Sequence, residues 1–487
     1  MISFDEVKRL ALNANVIPLY SAISADLDTP VSAYLKVRKS AGNSFLLESI
    51  EGGEKLARYS FLGGTPFESI TGYVDSVTVA HGKKSISIPC APLDWLRNYF
   101  LRFRTTRIDN LPRFTGGAVG YFSYDFVRLL ERLPNRHAGP KRNVLFRLDI
   151  HRDIVVFDHV KQEIIVIANI LTDDGSQSLR QKYADAKTRL EGLTQRLSGR
   201  VPTQPVQVKP AAKISPTISK ADFERSVVRA KEYIREGDIF QVVLSQRWSA
   251  RSSATPLDIY RRLRRLNPSP YMFLLDHGNQ AVIGSSPEML VRIEHGEIET
   301  RPIAGTRPRG ATPESDIAME QELLADAKEL AEHTMLVDLG RNDLGRVCQP
   351  GAVRVAEGMH IERYSHVMHL VSSVTGKMRT DLSPMDGLAA CFPAGTVSGA
   401  PKIRAMQIID ELESCGRGIY AGAVGYIDFW GNVDSCITIR TVVKDGLNYI
   451  IQAGAGIVAD SVPEREYQET CSKAGVLFAA VGGKIRP

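Results

Sequence analysis

No stretch of the chain approaches the ~20 consecutive apolar residues that a membrane-spanning helix needs, which argues against such a helix. The opening "MISFDEVKRLALNANVIPLY" carries acids and lacks the apolar core of a cleavable leader. The six cysteines, Cys90, Cys348, Cys391, Cys415, Cys436 and Cys471, are scattered with no CxxC pair, which argues against a zinc-ribbon spacing or a disulfide frame. Charge of one sign is not in excess. Against 61 Lys and Arg stand 55 Asp and Glu, and a net +6 over 487 residues gives no argument for a nucleic-acid or membrane partner. No GxSxG elbow or HExxH helix occurs, which weakens hydrolase and metalloprotease readings. The nearest approach to a phosphate loop, "CFPAGTVSGAPK", has Ala400 where GxxxxGK[ST] needs its second glycine, and Pro401 displaces the lysine. The expected setting is cytoplasmic, with reduced thiols.

What the chain does have is an ordinary globular composition, 43% hydrophobic and 24% charged, and length for two domains or one large one. Residues 1–200 read as a β-rich region. "VSAYLKV" and "NSFLLESI" look like strands, "DIVVFDHVKQEIIVIANI" like a hairpin, and a charged helix follows. Residues 201–217, with four prolines and no apolar periodicity, read as a linker. The region 218–487 restarts with Ser219 as N-cap and Phe223, Val227, Ala230 and Ile234 at helical spacing, stopped by Gly237. "DIFQVVLSQRW" then reads as a buried strand, and mixed strands and helices make the class α+β. "GAVGY" occurs twice, at 117–121 and 422–426.

Several stretches are candidates for chemistry. "LADAKELAEH" sets Glu329 and Glu332 three apart on a predicted helix. A wheel phased on Leu323 puts Ala327, Leu330, Ala331 and Thr334 on one face and the glutamates away from it. The last helix repeats the arrangement with Glu466 and Glu469 off a stripe of Tyr467, Cys471, Ala474, Leu477, Phe478 and Val481. Two such pairs across a cleft would suit a hard cation, which takes oxygen ligands; otherwise they are solvated faces. "PIAGTRPRG" reads as a stiff basic turn, and "TPLDIYRRLRRLNPSPYM" as a helix capped by Thr255 whose arginines form a solvated face. "QAGAGIV" is a glycine-rich strand or a backbone cradle for a carboxylate, and His369 sits in an apolar run.

In order, "DIFQVVLSQRW", "GSSPEML", "PIAGTRPRG", "HTMLVDLGRNDLGR", "HVMHLVSSVTG", "FPAGTVSGAPK", "GAVGY", "IRT" and "QAGAGIVADSVPEREYQET" resemble the motif series of the chorismate-utilising enzymes. The resemblance is dense from Lys220 onward and thinner before it, through "LLES". It implies a β-sandwich core of two packed sheets flanked by helices, and an Mg²⁺-dependent reaction on chorismate. Within the family, aminodeoxychorismate synthase typically carries a nucleophilic lysine where this chain has Ala304. Isochorismate and salicylate synthases carry a water-activating lysine where it has Gln241. Both departures point to the anthranilate-forming branch, with ammonia as nucleophile and pyruvate as co-product. The alternatives are aminodeoxychorismate synthase component I and, outside enzymes, a non-catalytic tryptophan sensor.

The same resemblance implies roles. Glu288 would be the general acid, His369 would promote aromatisation with Thr396 nearby, and Glu332 and Glu469 would hold Mg²⁺, with Glu329 and Glu466 acting through water. Arg440 would take the enolpyruvyl carboxylate, and Gln241, Tyr420, Gly454, Gly456 and Lys473 would complete the pocket. Glu48, Ser49, Asn267, Pro268, Tyr271 and Met272 resemble a tryptophan feedback site, so residues 1–200 would regulate and 218–487 catalyse. No cysteine lies in a GxCxG-like context, so glutamine would serve only through a separate glutamine amidotransferase subunit, two of each chain together.

Overall fold

Many runs of β-branched and aromatic residues form strands, and these pair almost entirely side by side in antiparallel ladders. The structure, a computed structural model, describes residues 1–38, 42–49, 58–106, 108–137, 143–172, 177–202, 214–364 and 367–483. Among these, two twelve-stranded sheets form. In the first, Ser44–Glu48 pairs with Tyr271–Asp276, which pairs with Gln280–Ser286. That strand leads through Thr441–Asp445 and Asn448–Ile457 to Gln241–Arg251. In the second, Ile303–Pro308 and Val367–Lys377 lie toward one edge, and Ala423–Asp428 and Gly117–Phe122 near the middle.

Side chains of both sheets interdigitate between them, with Phe45, Phe61, Phe273 and Val282 meeting Val119, Tyr121, Val424 and Tyr426. Helices cover the outer faces. Leu179–Leu197, Pro256–Leu266 and Pro463–Val481 pack on the first sheet, and Pro384–Cys391 and part of Ala327–Gly345 on the second. The fold is α+β with a β-sandwich core, as expected. No helix among the described residues is long and apolar enough to cross a membrane.

The two regions marked off by composition are not separate bodies, because both sheets draw strands from each. The repeated "GAVGY" segments are neighbours: Gly120 faces Gly425, Val119 faces Tyr426 and Tyr121 faces Val424 in one antiparallel ladder. Residues 203–213 of the expected linker lie outside the described residues, and its end, Ser215–Pro216, is a short strand on Trp248–Ser249.

Three local expectations need correction. "VSAYLKV" is helical, within Pro30–Val37, because Thr29 and Ser32 form a capping box and Pro30 occupies the first turn. "PIAGTRPRG" holds a strand, Ile303–Pro308, with a register shift around Gly305, whose φ is +65°. Its arginines hold the protein's own carboxylates: Arg307 binds Glu322 and Asp326, and Arg309 binds Asp316. The predicted helix through "LADAKELAEH" breaks at Asp326, which ends Pro313–Ala325 and caps Ala327–Gly345. A phase set at Leu323 therefore does not carry over. Ala327, Ala331 and Thr334 are exposed, and Glu329 and Glu332 are half-buried on the side of His333 and Leu336.

Candidate active site

A cavity of about 230 Å³ opens where the two sheets meet the helices Ala327–Gly345 and Pro463–Val481. From the first sheet it takes Gln241, Val243, Gly454 and Gly456; from the second, Ala304, Thr306 and His369. Glu288, Thr396, Tyr420, Arg440 and Lys473 add polar groups to the lining. All three expected catalytic residues and all six expected substrate-binding residues therefore converge here from distant parts of the chain.

Glu288 follows the strand Gln280–Ser286 and is buried. The Thr396 hydroxyl donates to its Oε1 at 2.8 Å. Burial pushes its carboxyl up to about 8, opposed by that hydrogen bond and by Lys473. At neutral pH the carboxyl is protonated and is a proton donor. His369 faces Gly305 O at 3.1 Å through Nδ1, with Thr306 Oγ1 at 3.1 Å. A carbonyl can only accept, so Nδ1 carries the hydrogen in this network and Nε2 is left as the basic nitrogen. Burial lowers the imidazole's pKa, which keeps the ring neutral.

Backbone proximity explains the glycines. A Cβ on Gly454 would lie 2.6 Å from the Tyr420 hydroxyl and 2.9 Å from Leu244 O, and one on Gly456 would lie 2.7 Å from Gln241 Nε2. Gln241 Nε2 donates to Glu332 Oε1 at 3.1 Å. Arg440, in the left-handed region at φ +50°, donates from Nη1 to Lys473 O at 2.8 Å, which fixes its guanidinium plane. Burial lowers its pKa. Lys473 donates to Gly454 O at 3.1 Å and pairs with Glu469 at 2.6 Å.

Of the four glutamates, only Glu332 lines the cavity; Glu469 reaches its edge through Lys473. Burial raises the pKa of Glu329, with Glu332 adding to the rise, and that of Glu466, with Glu469 adding. Crowded oxygen donors of this kind suit a hard cation. In the present side-chain arrangement, however, no three acidic, imidazole or thiol groups among the described residues converge tightly enough to grip one.

The expected feedback residues divide. Glu48, Ser49, Tyr271 and Met272 line a separate cavity of about 50 Å³ between the sheets, with Phe61, Arg113, Tyr426 and Asp434. Asn267 and Pro268 are not in its lining, and Asn267 instead donates to Ser285 Oγ at 2.8 Å. The Glu48 carboxylate is committed to the Tyr260 hydroxyl and the Arg264 guanidinium, one of the arginines expected on a solvated face.

Sequence reading passed over Thr306, Leu336 and Gln452, which also line the cavity at Glu288. Thr306 lies beyond the register shift at Gly305, which turns it onto the cavity beside Ala304, so the strand's two-residue period gave no signal for it. It also missed the buried Arg417–Glu413 pair. Arg417 donates to Val243 O and Val397 O, and Glu413 accepts from Ser245, so the pair ties the cavity's floor to its wall.

A family profile described as chorismate binding enzyme matches residues 44–479. The chain is 49% identical to anthranilate synthase component 1 of Acetivibrio thermocellus, covering 99% of each. Among solved structures it resembles anthranilate synthase component I of Streptococcus pneumoniae, at 37% identity and a TM-score of 0.79, covering 94% of this chain and 99% of that one. It also shares its fold with the menaquinone-specific isochorismate synthase of Escherichia coli, at 20% identity, a TM-score of 0.70 and 98% coverage of both chains.

Proposed function

Because this chain belongs to the chorismate-binding enzymes, we propose that it converts chorismate and ammonia to anthranilate and pyruvate, as the large component of an anthranilate synthase in tryptophan biosynthesis. The observation that carries the reading is Ala304, buried and facing a cavity that also presents a protonated Glu288. A side chain without a nucleophile leaves the ring open to direct attack by ammonia, and the Gln241 amide does not deprotonate water.

Glu288 gives its proton to the departing ring hydroxyl, which leaves as water. Ammonia adds at the ring carbon beside the carboxylate. The aminated ring then loses a proton to His369 Nε2 and expels its enolpyruvyl group, which is protonated and leaves as pyruvate. Arg440 meets the enolpyruvyl carboxylate in the planar, bidentate fashion that suits a guanidinium. The donor chemistry of the four glutamates fits Mg²⁺, which Glu332 and Glu469 would hold, with Glu329 and Glu466 supporting it. When bound, the ion offsets the substrate's carboxylate charge and orients it.

The chain uses free ammonia alone and draws on glutamine through a glutaminase subunit, two of each chain together, in the cytoplasm. Tryptophan inhibits by occupying the cavity at Ser49, Tyr271 and Met272. That cavity is smaller than the roughly 150 Å³ that accommodates benzene. Binding therefore moves its walls, which is how an inhibitor biases a conformational equilibrium.

The test incubates the purified chain with chorismate, Mg²⁺ and an ammonium salt, with and without tryptophan, and identifies products by chromatography and mass. Anthranilate and pyruvate, suppressed by tryptophan, are expected. A 4-amino product or isochorismate in their place overturns the reading.

A further inference from the structure

Glu288 is open on two sides. In front is the catalytic cavity; behind, a second cavity of about 40 Å³ is also lined by Glu288 and Thr396, and by Arg301, Asp343 and Cys391. Asp343 lies in the last turns of Ala327–Gly345, is buried, and accepts a hydrogen bond from Lys402 Nζ at 2.8 Å. The rear cavity has room for at least one water molecule and polar groups to hold it. Arg301 Nε, buried there, has no hydrogen-bond partner among the described residues.

We propose that this rear cavity is the route by which Glu288 recovers its proton, with Asp343 relaying it through water. The inference rests on the reading that Glu288 protonates the leaving hydroxyl. In each turnover the Glu288 O–H bond breaks and its proton departs in the water formed. The carboxylate then takes a proton from a water behind it. That water is re-protonated through Asp343, whose carboxylate takes a proton from solvent past the exposed Arg346, passes it on, and returns to the anion paired with Lys402. While the aromatic product fills the front cavity, the rear is the open path.

The groups facing the route agree with this. Burial raises the Asp343 carboxyl's pKa, opposed by Lys402 and Arg346, so it holds a proton more readily than an exposed aspartate. The Cys391 thiol is pushed far up by burial and stays neutral. Arg301 pairs with Glu299 and Glu362. Lys473 faces Glu288 from the front.

The test compares the intact chain with Asp343→Asn and Asp343→Glu, supplied with chorismate, Mg²⁺ and ammonium. For Asp343→Asn, kcat is expected to fall about 10²-fold with KM for chorismate unchanged and an enlarged solvent deuterium effect. A single turnover with enzyme in excess should keep the wild-type rate, because Glu288 starts protonated. Asp343→Glu should restore kcat. Should Asp343→Asn fail to fold, Cys391→Leu, which fills the same cavity with hydrocarbon, must show the same split. An unchanged kcat, or a single-turnover rate that falls in step with kcat, overturns the relay alone. A wild-type chain that makes no anthranilate overturns the parent reading, and the relay with it.

Discussion

Glu288 is buried with the Thr396 hydroxyl as its hydrogen-bond partner, and the lost hydration lifts its carboxyl from 4.5 to about 8. The folded value lies above the unfolded one, so between these limits the folded chain holds a proton that the unfolded chain has lost. Its contribution to stability is complete below 4.5 and is lost as pH rises through about 8. Glu288→Gln should therefore flatten the pH dependence of urea unfolding and stabilise the fold at neutral pH. Its turnover of chorismate should drop about 10²–10⁴-fold. The wild-type rate should decline as pH rises past about 8, where the acid loses its proton. A Glu288→Gln chain with undiminished turnover would remove the general-acid role. Ala304 is the second informative residue. Ala304→Lys places an amine in the cavity wall, and anthranilate formation should cease. Mass spectrometry of the chorismate-treated protein should then show a covalent adduct, and an adduct-free, active variant would count against Ala304 as the branch-setting position.

At the scale of elements, the strand Asn448–Ile457 meets Gln241–Arg251 so closely that its glycines act as spacers. Gly456→Ala presses on Gln241 Nε2, the free end of a side chain, and not on backbone. It should melt close to wild type while raising KM for chorismate, because Gln241 loses its hold on Glu332. The Arg417–Glu413 pair is a different case. Arg417→Met leaves a buried carboxylate unpaired, and such breaks cost about 3–5 kcal/mol. Chemical denaturation should show that loss, and an unaltered midpoint would mean that the pair carries little of the wall's stability. These elements were unevenly legible in sequence. The hairpin Asp153–Asp158 to Glu163–Leu171 and the capped helix Lys220–Arg235 show their own periodicity and punctuation. The break at Asp326 was hidden, because apolar residues keep helical spacing across it and the cap acts through one aspartate side chain. Thr29 and Pro30 likewise override the strand-like look of "VSAYLKV". The site's members were findable through ordered motifs. Their meeting was not, since it depends on pairings such as Gly456 with Val243 across more than two hundred residues.

Over the whole molecule, the cavity at Tyr271 and Met272 and the cavity at Glu288 belong to one pair of sheets. Met272 pairs with Ser285 and Tyr271 with Ser286, and two residues after Ser286 comes Glu288. A ligand that displaces Met272 thus works one short strand away from Glu288, the proposed general acid, along a contiguous route for coupling. Across the interface between the sheets, Asn43 donates to the Asp149 carboxylate at 3.2 Å, and His277 Nδ1 stands 3.1 Å from it. The strand Tyr271–Asp276 lies between Ser44–Glu48 and Gln280–Ser286, and Ala423–Asp428 between Gly117–Phe122 and Val433–Ile437. Removing residues 1–200 would strip one neighbour from each of these strands and uncover Phe273, Leu275, Val424 and Tyr426, which are buried now. Open edges beside exposed apolar faces favour aggregation. The fragment 218–487 expressed alone should therefore be insoluble or lack a cooperative melting transition, although it carries every expected catalytic and metal-binding residue. Co-expression with 1–202 should recover a soluble complex that turns over chorismate. A fragment 218–487 that melted cooperatively and made anthranilate by itself would show that the two regions are independent after all, and the route from Met272 to Glu288 would lose its physical basis.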